Sequence, residues 1–201
     1  SEAKRLFALL NRPNVMIKIP ATPEGVSALT ECIANGINVN STLIFSRDQY
    51  VSVAKAYIEG IKRGGGKKTA SVASVFVSRV DTAVDKLLAE KDSSLCGKIA
   101  VDGIKLIYQD FKKLFADENS IQRPLWASTG TKNKAYSDVK YVEELIGSDT
   151  VNTVPPTTLE AFVNHGKANL TLESNLDAAN DELKKLASLG IDINSERRKF
   201  L

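Results

Sequence analysis

A lysine stands among apolar residues in Val15-Met16-Ile17-Lys18-Ile19, a run with the make-up of a short strand. Lysine is seldom buried without a partner or a task. Desolvation favours the neutral amine, and a neutral amine attacks carbonyl carbon. At the ordinary lysine pKa of about 10.4, roughly one amine in a thousand is neutral near pH 7.5, so the surroundings decide whether such chemistry runs. Periodicity alone leaves two readings of Lys18 open: a desolvated nucleophile, or an edge lysine whose head reaches solvent.

Other candidates say less by themselves. Arg79 follows Ser71-Val72-Ala73-Ser74-Val75-Phe76-Val77-Ser78, at the C-terminal end of a strand pattern. An arginine there forks onto a phosphate, or forms a surface ion pair. Gly64-Gly65-Gly66-Lys67-Lys68-Thr69 resembles a phosphate loop only superficially. A Walker motif requires glycine five residues before Gly66, where Ile61 stands, so the segment reads as a loop entering a strand. His165, the single histidine, closes a helix before Gly166, where a cation suits the helix dipole. One imidazole excludes metal sites that need two, and Cys32 and Cys96 are too few to staple a domain, which suggests a reducing compartment.

The elements that must position these residues alternate. Residues 2–11 read as a helix, and Val15–Ile19 as a strand stopped by Pro20. Thr22 caps a helix with Pro23 in its first turn, ending at Gly36. Ile37–Phe45 is a second strand, and Ser46 caps a helix to about Lys62. Thr69–Val77 is a third strand, followed by helical periodicity at about 81–88 and 98–115. Pro124–Ser128 is a fourth strand, with a helix at about 135–146. Thr150–Val154 is a fifth, followed by helices at Pro156–His165, Asn175–Leu189 and from Ser195 onward.

Strands separated by helices argue for βαβ units and a parallel sheet. In the second strand, Asn38, Asn40 and Thr42 share one face, and Val39, Ser41 and Leu43 the other. A polar row near a strand's C-terminal end suits the mouth of a barrel. A doubly wound open sheet competes, but it usually carries a glycine-rich turn after its first strand, and none is present. A whole (β/α)8 barrel takes roughly 250 residues. Five strands in 201 residues, entered by a helix, read as a barrel that starts late, with both ends reading as breaks in a larger protein.

Composition narrows the partners. Lys+Arg number 27 against 24 Asp+Glu, a near balance without the basic stripe of a nucleic-acid binder. No apolar run approaches the roughly 18 residues of a membrane span, and Ser1-Glu2-Ala3-Lys4-Arg5 opens an amphipathic helix rather than a signal peptide. Apolar residues at 43% and charged residues at 25% are enough for one globular domain over residues 1–201.

Five blocks in order resemble the transaldolase family over nearly the whole chain. They are Ile17–Gly25, Gly36–Ser46, Ser71–Asp81, Arg123–Asn133 and Asp149–Pro155. The resemblance implies a (β/α)8 TIM barrel of the class I aldolase type, with the five strands as its fourth to eighth and the chain as its C-terminal two thirds. It implies that Lys18 is the Schiff-base lysine and that Asn40 binds substrate hydroxyls. Thr42 matches the threonine that helps hold the catalytic water, and Ser74 a serine on the dihydroxyacetone part. Arg79 and Ser128 match the phosphate-binding arginine and serine. Many members carry an arginine two residues after that serine; here the position is Gly130, and Lys132 is the substitute cation. The family's catalytic aspartate and glutamate lie on its first and third strands and match no residue of this chain.

The same resemblance implies transfer of a dihydroxyacetone unit between sugar phosphates, with no metal, no organic cofactor, no nucleic acid and no membrane. It also implies a cytoplasmic monomer or homodimer. A Schiff-base sugar-phosphate aldolase and a non-catalytic fragment are the alternatives, the latter because an incomplete barrel leaves two strand edges unpaired.

Overall fold

The computed structural model describes residues 2–65 and 68–196. Its five strands are β1 (Ile17–Pro20), β2 (Val39–Ile44), β3 (Ser71–Phe76), β4 (Gln122–Ala127) and β5 (Val151–Asn152). They form one parallel sheet in the order β1-β2-β3-β4-β5. Strand order equals chain order, so right-handed crossovers put the intervening helices on one face. No step reverses direction, which removes the doubly wound alternative and leaves the arrangement of a barrel wall.

The helices are α1 (Glu2–Leu10), α2 (Pro23–Ala34), α3 (Arg47–Arg63), α4 (Ser78–Lys91), α5 (Ile99–Leu114), α6 (Lys140–Glu143), α7 (Pro156–His165), α8 (Leu176–Ser188) and α9 (Ile193–Glu196). The expected caps form: Thr22 Oγ1 accepts from Gly25 N at 3.1 Å, and Ser46 Oγ from Gln49 N at 3.4 Å. Gly36, at φ 81°, turns the chain out of α2. α2 and α3 pack so closely that a Cβ on Gly60 would lie 2.7 Å from Ile33 Cβ.

The main core lies between sheet and helices, around the fully buried Trp126, Tyr50, Tyr57 and Tyr141. A smaller cluster of Val72, Leu125 and Ala127, flanked by Phe76 and Val151, occupies the opposite sheet face. Cys32 and Cys96 are both free thiols. Among the described residues, no helix is long and apolar enough to cross a membrane.

Three expectations change in detail. Four strands are shorter than the runs read from the sequence, their flanks lying outside the paired ladder, whereas β4 starts earlier, at Gln122 opposite Ser71. The helix expected at 135–146 shrinks to α6, because side chains bond to nearby backbone and hold turns: Asn133 Oδ1 accepts from Ala135 N at 3.0 Å, and Thr131 Oγ1 donates to Ser137 O at 2.8 Å. The last helix begins at Ile193 rather than Ser195, because Asp192 Oδ1 accepts from Asn194 N at 2.9 Å. Gly66 and Lys67 of the glycine loop, and the continuation of that helix past Glu196, lie outside the described residues.

Where α8 packs on α5, the buried Asp102 meets Glu182, which also accepts from Lys98 Nζ at 2.6 Å. Burial and the neighbouring Glu182 carboxylate push Asp102 up to about 7. Burial alone would push Glu182 up as well, but Lys98 holds it below its ordinary value. The folded chain therefore keeps a proton that the unfolded chain releases above about pH 4, and this contribution to stability declines as pH rises from about 4 to 7. Asp102→Asn should flatten that decline and raise the Tm at pH 8 by on the order of 2–4 °C in thermal melts across pH. An unchanged slope would mean that another group titrates.

Candidate active site

Parallel pairing sets Lys18 directly opposite Asn40. Asn40 in turn reaches the next strand: its Oδ1 accepts from Ser74 Oγ at 2.7 Å. Lysine, carboxamide and hydroxyl thus line up across β1, β2 and β3 on the sheet face away from the main core. Lys18 is exposed on the edge strand, so the apolar flanking residues do not enclose its amine among the described residues. Of the two readings of Lys18, these residues alone supply the open one. Apolar neighbours in sequence point to the two faces of a strand by turns and so cannot by themselves bury it.

Thr42 follows on β2, buried, with no hydrogen-bond partner for its Oγ1. Buried hydroxyls are nearly always satisfied, so this one is free to hold a water or a substrate atom. The alternation read from the sequence fails just beyond it. Ser41 pairs with Ala73, but Ile44 and not Leu43 pairs with Val75, so β2 carries one extra residue. Leu43 absorbs it at φ 59°, in the left-handed region that a branched side chain seldom enters. Ile44 therefore joins Val39 and Ser41 in the main core, with Leu43 partly buried against it.

A second corner forms where β3 and β4 end. Ser128 sits at φ 60°. Its carbonyl accepts from Ser78 N at 3.0 Å and its Oγ lies 2.9 Å from Ser78 Oγ. Arg79 follows in the first turn of α4, its guanidinium 4.9 Å from the Phe76 ring centroid. A helix start with an arginine and two hydroxyls beside it suits an anion. At Gly130 a Cβ would lie 3.2 Å from Pro155 Cγ, so a larger side chain there requires Pro155 to yield by a few tenths of an ångström. Lys132 is exposed and lines, with Asp81, Asp85 and Tyr136, a cavity of about 360 Å3 along α4 whose lining includes neither Arg79 nor Ser128. The structure brings Lys18, Asn40 and Ser74 together, and Ser128 with the start of α4. It does not add Lys132 to that corner. His165 meets Asp138 instead, Nε2 to Oδ1 at 2.9 Å, with both side chains exposed.

Two supporting residues were not picked out by sequence reasoning. Asp81, one turn into α4, is buried: its Oδ1 accepts from Ala100 N at 2.9 Å and its Oδ2 from Tyr141 Oη at 2.8 Å. It caps α5, which has no cap of its own at Lys98, and so fixes the helix that carries Ser78 and Arg79. Burial outweighs those two hydrogen bonds and pushes Asp81 up to about 6. The other is Gln49, whose signal was available as Ser46-x-x-Gln49, a capping-box spacing. Among the described residues, no group of three or more His, Cys, Asp or Glu side chains gathers as a metal site.

The chain is similar to known proteins along its whole length. The family model described as Transaldolase/Fructose-6-phosphate aldolase matches residues 1–201. A transaldolase of Trichodesmium erythraeum is 42% identical over 223 residues, covering 98% of this chain and 59% of the relative. Transaldolases of Neisseria meningitidis serogroup A and Renibacterium salmoninarum are each 44% identical, covering 96% of this chain and 58% and 57% of their own lengths. The chain thus spans a little under three fifths of these curated relatives. A family match along the whole chain, over a parallel sheet in barrel order, settles the kinship: this chain belongs to the transaldolase/fructose-6-phosphate aldolase family.

Proposed function

We propose that the protein acts as a transaldolase, with residues 1–201 forming one domain that corresponds to the C-terminal two thirds of the barrel. The reaction is reversible transfer of a dihydroxyacetone unit from sedoheptulose 7-phosphate to glyceraldehyde 3-phosphate, giving erythrose 4-phosphate and fructose 6-phosphate. It is a step of the pentose phosphate pathway, in the cytoplasm. The observation that carries the reading is Lys18 in register with Asn40, and Asn40 hydrogen-bonded to Ser74, within a chain of this family.

The neutral amine of Lys18 adds to the ketone carbon, and loss of water leaves an iminium. That cation draws in the electrons of the bond between the third and fourth carbons as the fourth carbon's hydroxyl gives up its proton. The aldose leaves as an aldehyde and an enamine remains on Lys18. The enamine carbon attacks the acceptor aldehyde, the new alkoxide takes a proton, and water releases the product. Asn40 and Ser74 hold the hydroxyls of the three-carbon unit, and Thr42 holds the water. Arg79 and Ser128 bind the phosphate, whose binding energy orients the reacting end. The family's acid/base carboxylates match no residue of this chain, so these residues cover binding and covalent attachment.

The family's description also names fructose-6-phosphate aldolase, in which case the enamine is protonated instead of being passed on. The relatives' names favour transfer. Fructose 6-phosphate incubated with and without erythrose 4-phosphate separates the two: a transferase forms sedoheptulose 7-phosphate only with the acceptor, an aldolase releases dihydroxyacetone without it.

Borohydride added with fructose 6-phosphate should fix a sugar-derived adduct on Lys18, and Lys18→Met should abolish it, as read by peptide mass. An adduct on Lys132 in place of Lys18 would overturn the assignment. Arg79→Ala should weaken phosphorylated sugars by about tenfold to a hundredfold relative to their unphosphorylated counterparts, the size of a charge-assisted hydrogen bond. Equal losses for both would make Arg79 structural. Thr42→Val should leave the Tm unchanged or slightly raised, because it removes an unsatisfied buried hydroxyl, yet slow product release from Lys18. A drop of several degrees would show that the hydroxyl has a partner in the fold.

A further inference from the structure

We propose that Gln49 is a positioning residue: its carboxamide clamps the ends of β1 and β2 together and so sets Thr42 relative to Lys18. The functional half of this inference rests on the Lys18 chemistry proposed above. The clamp itself rests on geometry. Gln49, in the first turn of α3, donates from Nε2 to Ala21 O at 3.2 Å and to Leu43 O at 3.4 Å. Its Oε1 accepts from Phe45 N at 3.0 Å. A backbone N–H can only donate, so Phe45 N fixes which end of the carboxamide is oxygen and turns the nitrogen toward the two carbonyls.

Those carbonyls are not incidental. Ala21 is the first residue after β1, three past Lys18, and Leu43 is the left-handed residue directly after Thr42. Ala21 N also donates to Thr42 O at 2.7 Å, so the backbone link and the side-chain link bridge the same two strand ends. The unusual Leu43 conformation needs support from its surroundings to persist. Gln49 contacts the carbonyl that this conformation redirects. No other described side chain donates to both strand ends.

An ordinary helix cap is the competing account, and glutamate distinguishes the two. Holding the helix start needs only an acceptor for Phe45 N at this position, which glutamate supplies as well as glutamine. Ionised glutamate cannot donate to Ala21 O or Leu43 O. Gln49→Glu therefore keeps the cap and loses the clamp, while Gln49→Met loses both without adding charge.

The test uses amide hydrogen exchange, thermal melting and the rate of borohydride-trapped adduct formation on Lys18 with fructose 6-phosphate. In Gln49→Glu, the Ala21 amide should exchange about tenfold faster while the helix amides of α3 and the Tm stay near wild type. Both variants should form the Lys18 adduct about tenfold more slowly at saturating sugar phosphate, with half-saturation unchanged. Wild-type exchange at Ala21 in Gln49→Glu would overturn the clamp. Faster exchange with an unchanged adduct rate would reduce Gln49 to a structural role and overturn the positioning claim. Failure of the unsubstituted protein to form any adduct would overturn the Lys18 chemistry instead, and the exchange arm would still decide the clamp.

Discussion

Parallel pairing between neighbours in chain order is the constraint on which the rest depends. It allows only one kind of convergence, in which side chains at matching depths of adjacent strands stand side by side. Lys18, Asn40 and Ser74 come from segments separated by two helices, yet the register places them in one row. The same constraint makes the strand ends the only places where loops, helix starts and strand side chains meet. The two left-handed residues beside the site, Leu43 and Ser128, both sit there. A regular ladder has no use for such residues. A site that must turn a hydroxyl or a carbonyl inward does.

The helical layer holds this row indirectly. α3 starts at the end of β2 and returns Gln49 to the strand tips; α4 starts at the end of β3 and is pinned by Asp81 to α5 and Tyr141. Each helix start thus serves two ends at once, closing its own first turn and bracing the site. Asp81 is kept despite the cost of burying a carboxyl because two donors and a helix terminus converge on it. Trp126 has a similar role under β4, where its indole donates to Leu145 O at 2.9 Å and closes the core beneath the second corner.

Much of this was legible beforehand, for reasons that differ by residue. Thr22-Pro23 and Ser46 carry local cap chemistry, so their helices begin where the sequence says. The five motif blocks marked Lys18, Asn40, Ser74 and Ser128 as candidates because each block is a strand with the turn that follows it. Other features depend on partners far away in sequence. The exposure of Lys18 is set by which strands flank β1, not by Ile17 and Ile19. The extra residue in β2 shows only against β3, since alternation in Val39–Ile44 has no internal sign of a slip. Lys132 looked like a substitute cation by sequence proximity to Gly130, but the loop after β4 runs along α4 and brings it beside Asp81 and Asp85. The loop at 131–139 defeats a helical pattern because turn-forming side chains close it locally.

The consecutive strand order also shapes how the chain assembles. Each strand pairs with the next one to emerge, so the sheet closes loops of about 20 to 50 residues, whose entropic cost grows only slowly with length. The exceptions lie at the C-terminal end. Lys98 to Glu182 spans 84 residues, Lys91 to Leu189 spans 98, and Asn194 to Asp48 spans 146. A ribosome extruding this sequence would deliver β1 to β4 as successive paired units well before α8 could lie across α5. Seating of α8 therefore follows delivery of the segments it packs on. Until it happens, the apolar side of α5 remains a surface that a chaperone or a neighbouring nascent chain can occupy.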